Sequence, residues 1–259
     1  MRGWGRYVLP VVALWAAAFA RDGVDAWIEG TTLPPLLIET SVEVRDRDGH
    51  LLRAYPVEDG LMRLGAAPHQ VDPSYLAMLI AYEDQRFWTH PGVDGLALAR
   101  ASVQAVLNGE IVSGGSTLTM QVARLLEDGS TGRWQGKLRQ MRVALALERK
   151  LDKHHILELY LSHAPFGSNL EGVRAATLAW FGKEPTRLTP AQSALLIALP
   201  QSPETRRPDR DALNAQAARD RVLDRLAGSD VLSAEAGNAA KTETVSAIRR
   251  AFPSLAAHM

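Results

Sequence analysis

AYEDQRFWTHPGVD, residues Ala81 to Asp94, closes an apolar helical run with two adjacent acids, Glu83 and Asp84. Phe87 and His90 follow at helical spacing, and a Pro-Gly turn ends the stretch. Burying a carboxylate is costly, so an acid pair against an apolar segment asks for a use. Neighbouring residues on a helix point about 100° apart. One acid is therefore expected to face a cleft and the other an internal partner. A carboxylate at the end of an apolar helix suits a general base. A surface acid pair is the plainer alternative, disfavoured by the negative end of the helix dipole. His90 taken alone reads as a structural hydrogen bonder.

Working outward, Asp72-Pro73 marks the start of the helix that leads into Glu83. A second helix is expected from about Asp94 to Asn108, stopped by Gly109, with Leu96, Leu98, Ala99, Val103, Val106 and Leu107 as an apolar face. SGGSTLTMQ, Ser113 to Gln121, then opens a helix running from Ser116 to Leu126. Glycines before a helix N-terminus permit anion binding, although an ordinary loop with a serine cap fits equally well. Gln121 and Arg124 lie one and two turns in, near the face of Thr117. Asp128 to Gly132 reads as a loop. Downstream, helices are expected from about Arg133 to Leu151, after Asp152, over EGVRAATLAWF, after the Thr189 capping box, and from Asp211 to Ala227. One strand pair stands out, SVEVRD and LLRAYPV around Asp48-Gly49. The rest reads helical, with no repeats.

The 259 residues are 46% hydrophobic and 22% charged, with 29 basic and 29 acidic side chains. Zero net charge offers no support for a nucleic-acid partner. The absence of cysteine excludes disulfides, thiolate metal sites and a cysteine nucleophile. Arg2 and Arg6 precede the charge-free run Tyr7 to Ala20, the pattern of an export signal or an uncleaved anchor. The run is short against the roughly 20 residues of a comfortable span. The positive-inside rule places the body outside the cytoplasm.

Charge is uneven locally. Arg133, Lys137, Arg139, Arg142, Arg149, Lys150 and Lys153 face only Glu148 and Asp152. Beside a membrane anchor and an anion-competent loop, this stripe points to a phosphate-bearing, membrane-bound substrate. His154-His155 lacks metal-ligand spacing and reads as surface.

The ordered set EDQRFWTHPGVD, GGSTLTMQVAR, KLRQMRVALALERKLDKHHILELYLSHAPFG, EGVRAATLAWFGK and LTPAQSALLIALPQSP resembles the peptidoglycan glycosyltransferases of family 51. These are the N-terminal domains of class A penicillin-binding proteins and the monofunctional transglycosylases. The likeness spans roughly residues 40–205. It implies a mainly α, lysozyme-like fold with a small N-terminal β-hairpin and a hydrophobic jaw on the membrane, for which the helix from Asp94 to Asn108 is the candidate. Together with the residue patterns above, the expected division is a signal-anchor over residues 1–28, a linker and hairpin over 29–60, the glycosyltransferase domain over 61–228 and a tail over 229–259. The implied location is a bacterial cytoplasmic membrane, single-pass, with the domain on the periplasmic side. The implied substrates are lipid II and the growing glycan strand.

By the same resemblance Glu83 is the general base. Asp84, Phe87, His90, Ser116, Thr117, Gln121, Arg124, Lys137 and Arg139 shape the donor site or meet its pyrophosphate. No protein-held metal is implied, and Mg²⁺ on the pyrophosphate stays open. Gln140 departs from the pattern, because most of the family holds a second glutamate there. Leaving-group assistance then falls to Lys137, Arg139 or Arg124. Glu148 lies about 80° round the helix from Gln140 and is expected to be structural. No serine is followed three residues on by lysine, so the acyl-transfer motif of a transpeptidase is not in this sequence. A truncated or separated unit is implied, with a transpeptidase on another chain as a conceivable partner. Gln140 also leaves open a module that binds lipid II without turnover. The lipid-facing features argue against a glycan hydrolase.

Overall fold

The computed structural model describes residues 5–108, 115–127 and 134–255. Its chain order is α1 (Gly5–Glu29), β1 (Val42–Arg45), β2 (Leu51–Tyr55), β3 (Met62–Arg63), α2 (Pro73–Glu83), α3 (Gly95–Asn108), α4 (Leu118–Leu126), α5 (Trp134–Glu148), α6 (Lys153–His163), β4 (Leu170–Glu171), α7 (Val173–Phe181), α8 (Pro190–Ala198), α9 (Ala212–Leu226) and α10 (Ala234–Lys241). The molecule is mainly helical. Gly109, Ser113, Gly114, the 128–132 loop and Arg133 lie outside the described residues, as do the side chains of Val106 and Leu107.

Local chemistry sets the helix ends. The Asp72 carboxylate accepts from the Ser74 amide at 2.8 Å, and its other oxygen accepts from Leu188 N at 2.7 Å. One cap thereby starts α2 and ties it to the chain entering α8. Thr189 and Gln192 form a reciprocal capping box at the start of α8. Gly182 ends α7 at φ 71°, a left-handed conformation that suits glycine. Thr117, rather than Ser116, caps α4, because its hydroxyl accepts from Met120 N at 3.1 Å.

α8 is the buried axis, with Ala194, Leu195, Leu196, Ile197 and Ala198 almost wholly inside. It packs on α2 and α9, and α4 packs on α5 and α6. β1 and β2 pair antiparallel, with Val42 opposite Tyr55 and an irregularity at Val44/Arg45. A second, parallel pair joins β3 to β4, with Met62 opposite Leu170. That pair was not expected. Two residues per strand leave no alternation to detect.

The apolar run Tyr7 to Ala20 falls inside α1, which exposes Val12, Leu14, Trp15 and Phe19. Among the described residues no helix is long and apolar enough to cross a membrane. Arg21, Asp22 and Asp25 end the run too early for a span of about 20 residues. α3 exposes Leu96 and Val103.

Candidate active site

α2 ends at Glu83, and Asp84 leaves the helix as its C-cap at φ −158°. That single change of backbone direction separates the two acids. Glu83 lines a cleft of about 310 Å³ together with Arg86, Arg100, Ser116 and Arg225. Its Oε2 accepts from Gln121 Nε2 at 2.9 Å, and its Oε1 accepts from Gln201 Nε2 at 2.8 Å. Tyr75 and Tyr160 are buried in the core nearby. Burial first, and the Glu83 charge second, push both phenols above their ordinary range, so they stay neutral.

Asp84 turns inward. Both its oxygens lie 2.9 Å from His90 Nε2, and Oδ2 also accepts from the Leu118 amide at 2.9 Å. The Gly92 amide donates to His90 Nδ1 at 3.1 Å, which places the ring proton on Nε2, facing Asp84. The Thr117 hydroxyl donates to Gly92 O at 2.5 Å. Asp84 thus satisfies a first-turn amide of α4 and locks the start of that helix to the end of α2. Phe87 is fully buried, with Lys153 Nζ 4.6 Å from its ring centre. His90 is buried as well. Phe87 and His90 thus stand behind the lining of the cleft.

Across α4, Lys137 donates to the Ser116 hydroxyl. Burial first, and the Arg124 charge second, hold the Lys137 ammonium below the usual lysine range. Arg124, Arg139 and Gln140 share a second cleft of about 440 Å³ with Glu127 and with Thr32, Leu33 and Pro34 from the chain after α1. Arg139 Nη2 bonds Glu127 Oε1 at 2.6 Å, and Gln140 is buried.

The basic stripe, which runs from α5 into the start of α6, divides. Arg142 Nε donates to Trp27 O at 2.8 Å and its guanidinium stands 5.0 Å over the Trp27 ring. Arg149 pairs with Asp25 and Glu29. Lys153 bonds Glu148 at 2.6 Å and His90 O at 2.7 Å. Those three hold the structure together, while Lys137 reaches Ser116, a residue that lines the Glu83 cleft. Glu148 is occupied by Lys153 and by the Thr119 hydroxyl at 2.6 Å. The second cleft does not suit a protein-held divalent cation. Glu127, its carboxylate among the described lining residues, is taken by Arg139, and Gln140 offers only a neutral amide.

Two residues of the site had drawn no notice in the sequence. Gln201 stands in the quoted LPQSP segment, and its role shows only when the fold brings it to Glu83, 118 positions away. Glu127 gave no local signal, since its Arg139 partner lies beyond a loop.

The chain belongs to the transglycosylase family, whose model, described as Transglycosylase, matches residues 49–227. Penicillin-binding protein 1C of Escherichia coli K12 is 45% identical over 210 residues, covering 81% of this chain and 27% of the relative. Penicillin-binding protein 1A of Rickettsia prowazekii is 34% identical over 186 residues, covering 71% and 23%. The chain thus spans about a quarter of the length of these curated relatives. The crystal structure of penicillin-binding protein 1A from Haemophilus influenzae aligns at 20% identity over 86% of this chain and 22% of that one, with a TM-score of 0.47, too loose a likeness to add weight.

Proposed function

We propose that this chain is a peptidoglycan glycosyltransferase that polymerises lipid II into glycan strands. One observation carries the reading. Glu83 and the cationic group share the two ends of α4's first turns: Gln121 holds Glu83, while Ser116 lines the Glu83 cleft and receives Lys137. A proton acceptor thus stands close to groups suited to an anionic leaving group.

In this reaction Glu83 takes the proton of the acceptor sugar's 4-hydroxyl. That oxygen attacks the donor anomeric carbon, and the bond from that carbon to the pyrophosphate breaks with its electron pair on the leaving oxygen. Configuration inverts, and no glycosyl-enzyme forms. Lys137 and Arg124 stabilise the departing charge, with Arg139 tempered by Glu127. Gln140 donates hydrogen bonds but carries no charge, so leaving-group stabilisation rests on the cations. Mg²⁺, if used, arrives with the pyrophosphate rather than on a protein carboxylate cage. The exposed apolar side chains of α1 and α3 support contact with a bacterial cytoplasmic membrane, with the domain on its outer side. The relatives' names include penicillin binding, and a transpeptidase partner belongs to the same proposal.

The test is incubation of the chain with labelled lipid II in detergent. Polymer is expected. Binding without polymer would leave the reading that Gln140 favours, a lipid II-binding module. Sugar fragments released from finished peptidoglycan would point to a hydrolase.

A further inference from the structure

We infer that Gln201 is a positioning residue for the base, orienting the Glu83 carboxylate and favouring its ionised form, with Arg206 fixing which end of the Gln201 amide faces it. This rests on the reading of Glu83 as the base.

Gln201 ends a short 3₁₀ turn, Leu199–Gln201, that continues α8. The turn grows from a largely buried helix, so the exposed Gln201 side chain stands on a rigid base. Its Nε2 donates to Glu83 Oε1 at 2.8 Å. Its Oε1 accepts from Arg206 Nη1 at 2.9 Å, and the same nitrogen donates to Ala198 O at 2.7 Å. A guanidinium has donors only, so the amide atom facing Arg206 must be the oxygen. The amide nitrogen is then obliged to face Glu83. A turned amide would set oxygen against carboxylate at one end and N–H against guanidinium at the other.

Gln121 supplies the second donor, on the other oxygen. Each carboxylate oxygen thus keeps a free lone pair for an incoming hydroxyl. Neutral donors favour the carboxylate over the acid form without the bias of a directly paired cation. Gln201 also lines a cleft of about 700 Å³ that contains Arg124, so its bond to Glu83 stands at the boundary of two clefts.

The other charged or titratable groups around the base are unchanged by replacing Gln201. Tyr82, Asp84, Arg86, Asp94, Arg100 and Arg225 share the Glu83 cleft. Tyr75 on α2 and Tyr160 on α6 feel its charge, as does Arg206 from the loop.

The experiment is the pH profile of polymerisation from labelled lipid II by the full chain, for native, Gln201→Ala, Gln201→Glu, Arg206→Met and Glu83→Gln proteins, with melting temperatures alongside. Losing a donor to the carboxylate should move the acid limb of kcat to higher pH in Gln201→Ala, while KM changes little. Gln201→Glu should move it further, through like-charge repulsion. Arg206→Met should shift it the same way by less, since the amide becomes free to turn. A merely structural Gln201 would lower the melting temperature or the overall rate and leave the limb in place. An unmoved limb in Gln201→Ala, with Glu83→Gln inactive, overturns this inference alone. Full activity in Glu83→Gln overturns the reading of the base itself.

Discussion

Asp84 and Glu83 differ by one position and have opposite surroundings. The adjacency of the acids in the sequence already implied that they diverge, because consecutive helical side chains cannot share a direction. Which one turns inward was legible only through the resemblance that makes Glu83 the base, since in the fold it depends on His90 and the Leu118 amide. Replacing His90 with alanine leaves a buried carboxylate with the amide alone. The expected cost is about 2–3 kcal/mol, read by urea unfolding. Lys137 makes a pH prediction. Its folded pKa is depressed, so the cost of holding the ammonium charged is present below that value. The cost is relieved as pH rises through it, and stability gains with pH in the window up to the unfolded value. If Lys137 serves the pyrophosphate as proposed, pyrophosphate binding should weaken across the same window. Calorimetry with inorganic pyrophosphate from about pH 7 to about pH 10 should show Lys137→Arg keeping its affinity to higher pH than native protein. Identical pH dependence in the two proteins would remove Lys137 from the anion site.

At the scale of elements, most helices were legible because Asp, Thr, Pro and Gly mark their ends chemically. Asp72, Asp152, Thr189, Asp211 and Gly182 act at the ends they signal. The β3–β4 pair was not legible, since a parallel contact across 108 residues leaves no local pattern. The basic stripe that begins on α5 was visible, but how its members divide between structural partners and the cleft was not. A run of cations says nothing of its partners, and Asp25, Glu29 and the Trp27 carbonyl come from α1, more than a hundred residues earlier. These contacts dock the end of α1 on α5. An exposed ion pair contributes about 0.5 kcal/mol and a cation–π contact about 1 kcal/mol. Arg142→Ala with Arg149→Ala should therefore raise amide exchange over residues 25–34 by roughly tenfold. Unchanged exchange would mean that the docking is held by other contacts.

For the whole molecule, the chain after α10 runs back across the body. Arg250 N bonds Ala179 O at 2.8 Å, and Leu255 N bonds Leu52 O at 3.0 Å beside the hairpin. The clefts combine segments from α1's exit to the loop after α8, which is why an ordered set of motifs signalled the family while no single motif disclosed the site. Exposed Leu96 and Val103 carry the membrane proposal for α3. Leu96→Glu with Val103→Glu should cut cosedimentation with anionic liposomes several-fold while leaving the melting temperature within a few degrees. Glu83 remains the centre of the account. The most direct test compares the initial rate of glycan polymerisation from labelled lipid II for native protein and Glu83→Gln, at matched lipid II binding. Loss of a general base should lower the rate by about 10²–10⁴-fold with binding retained. A Glu83→Gln protein that polymerises within a few-fold of native would contradict it.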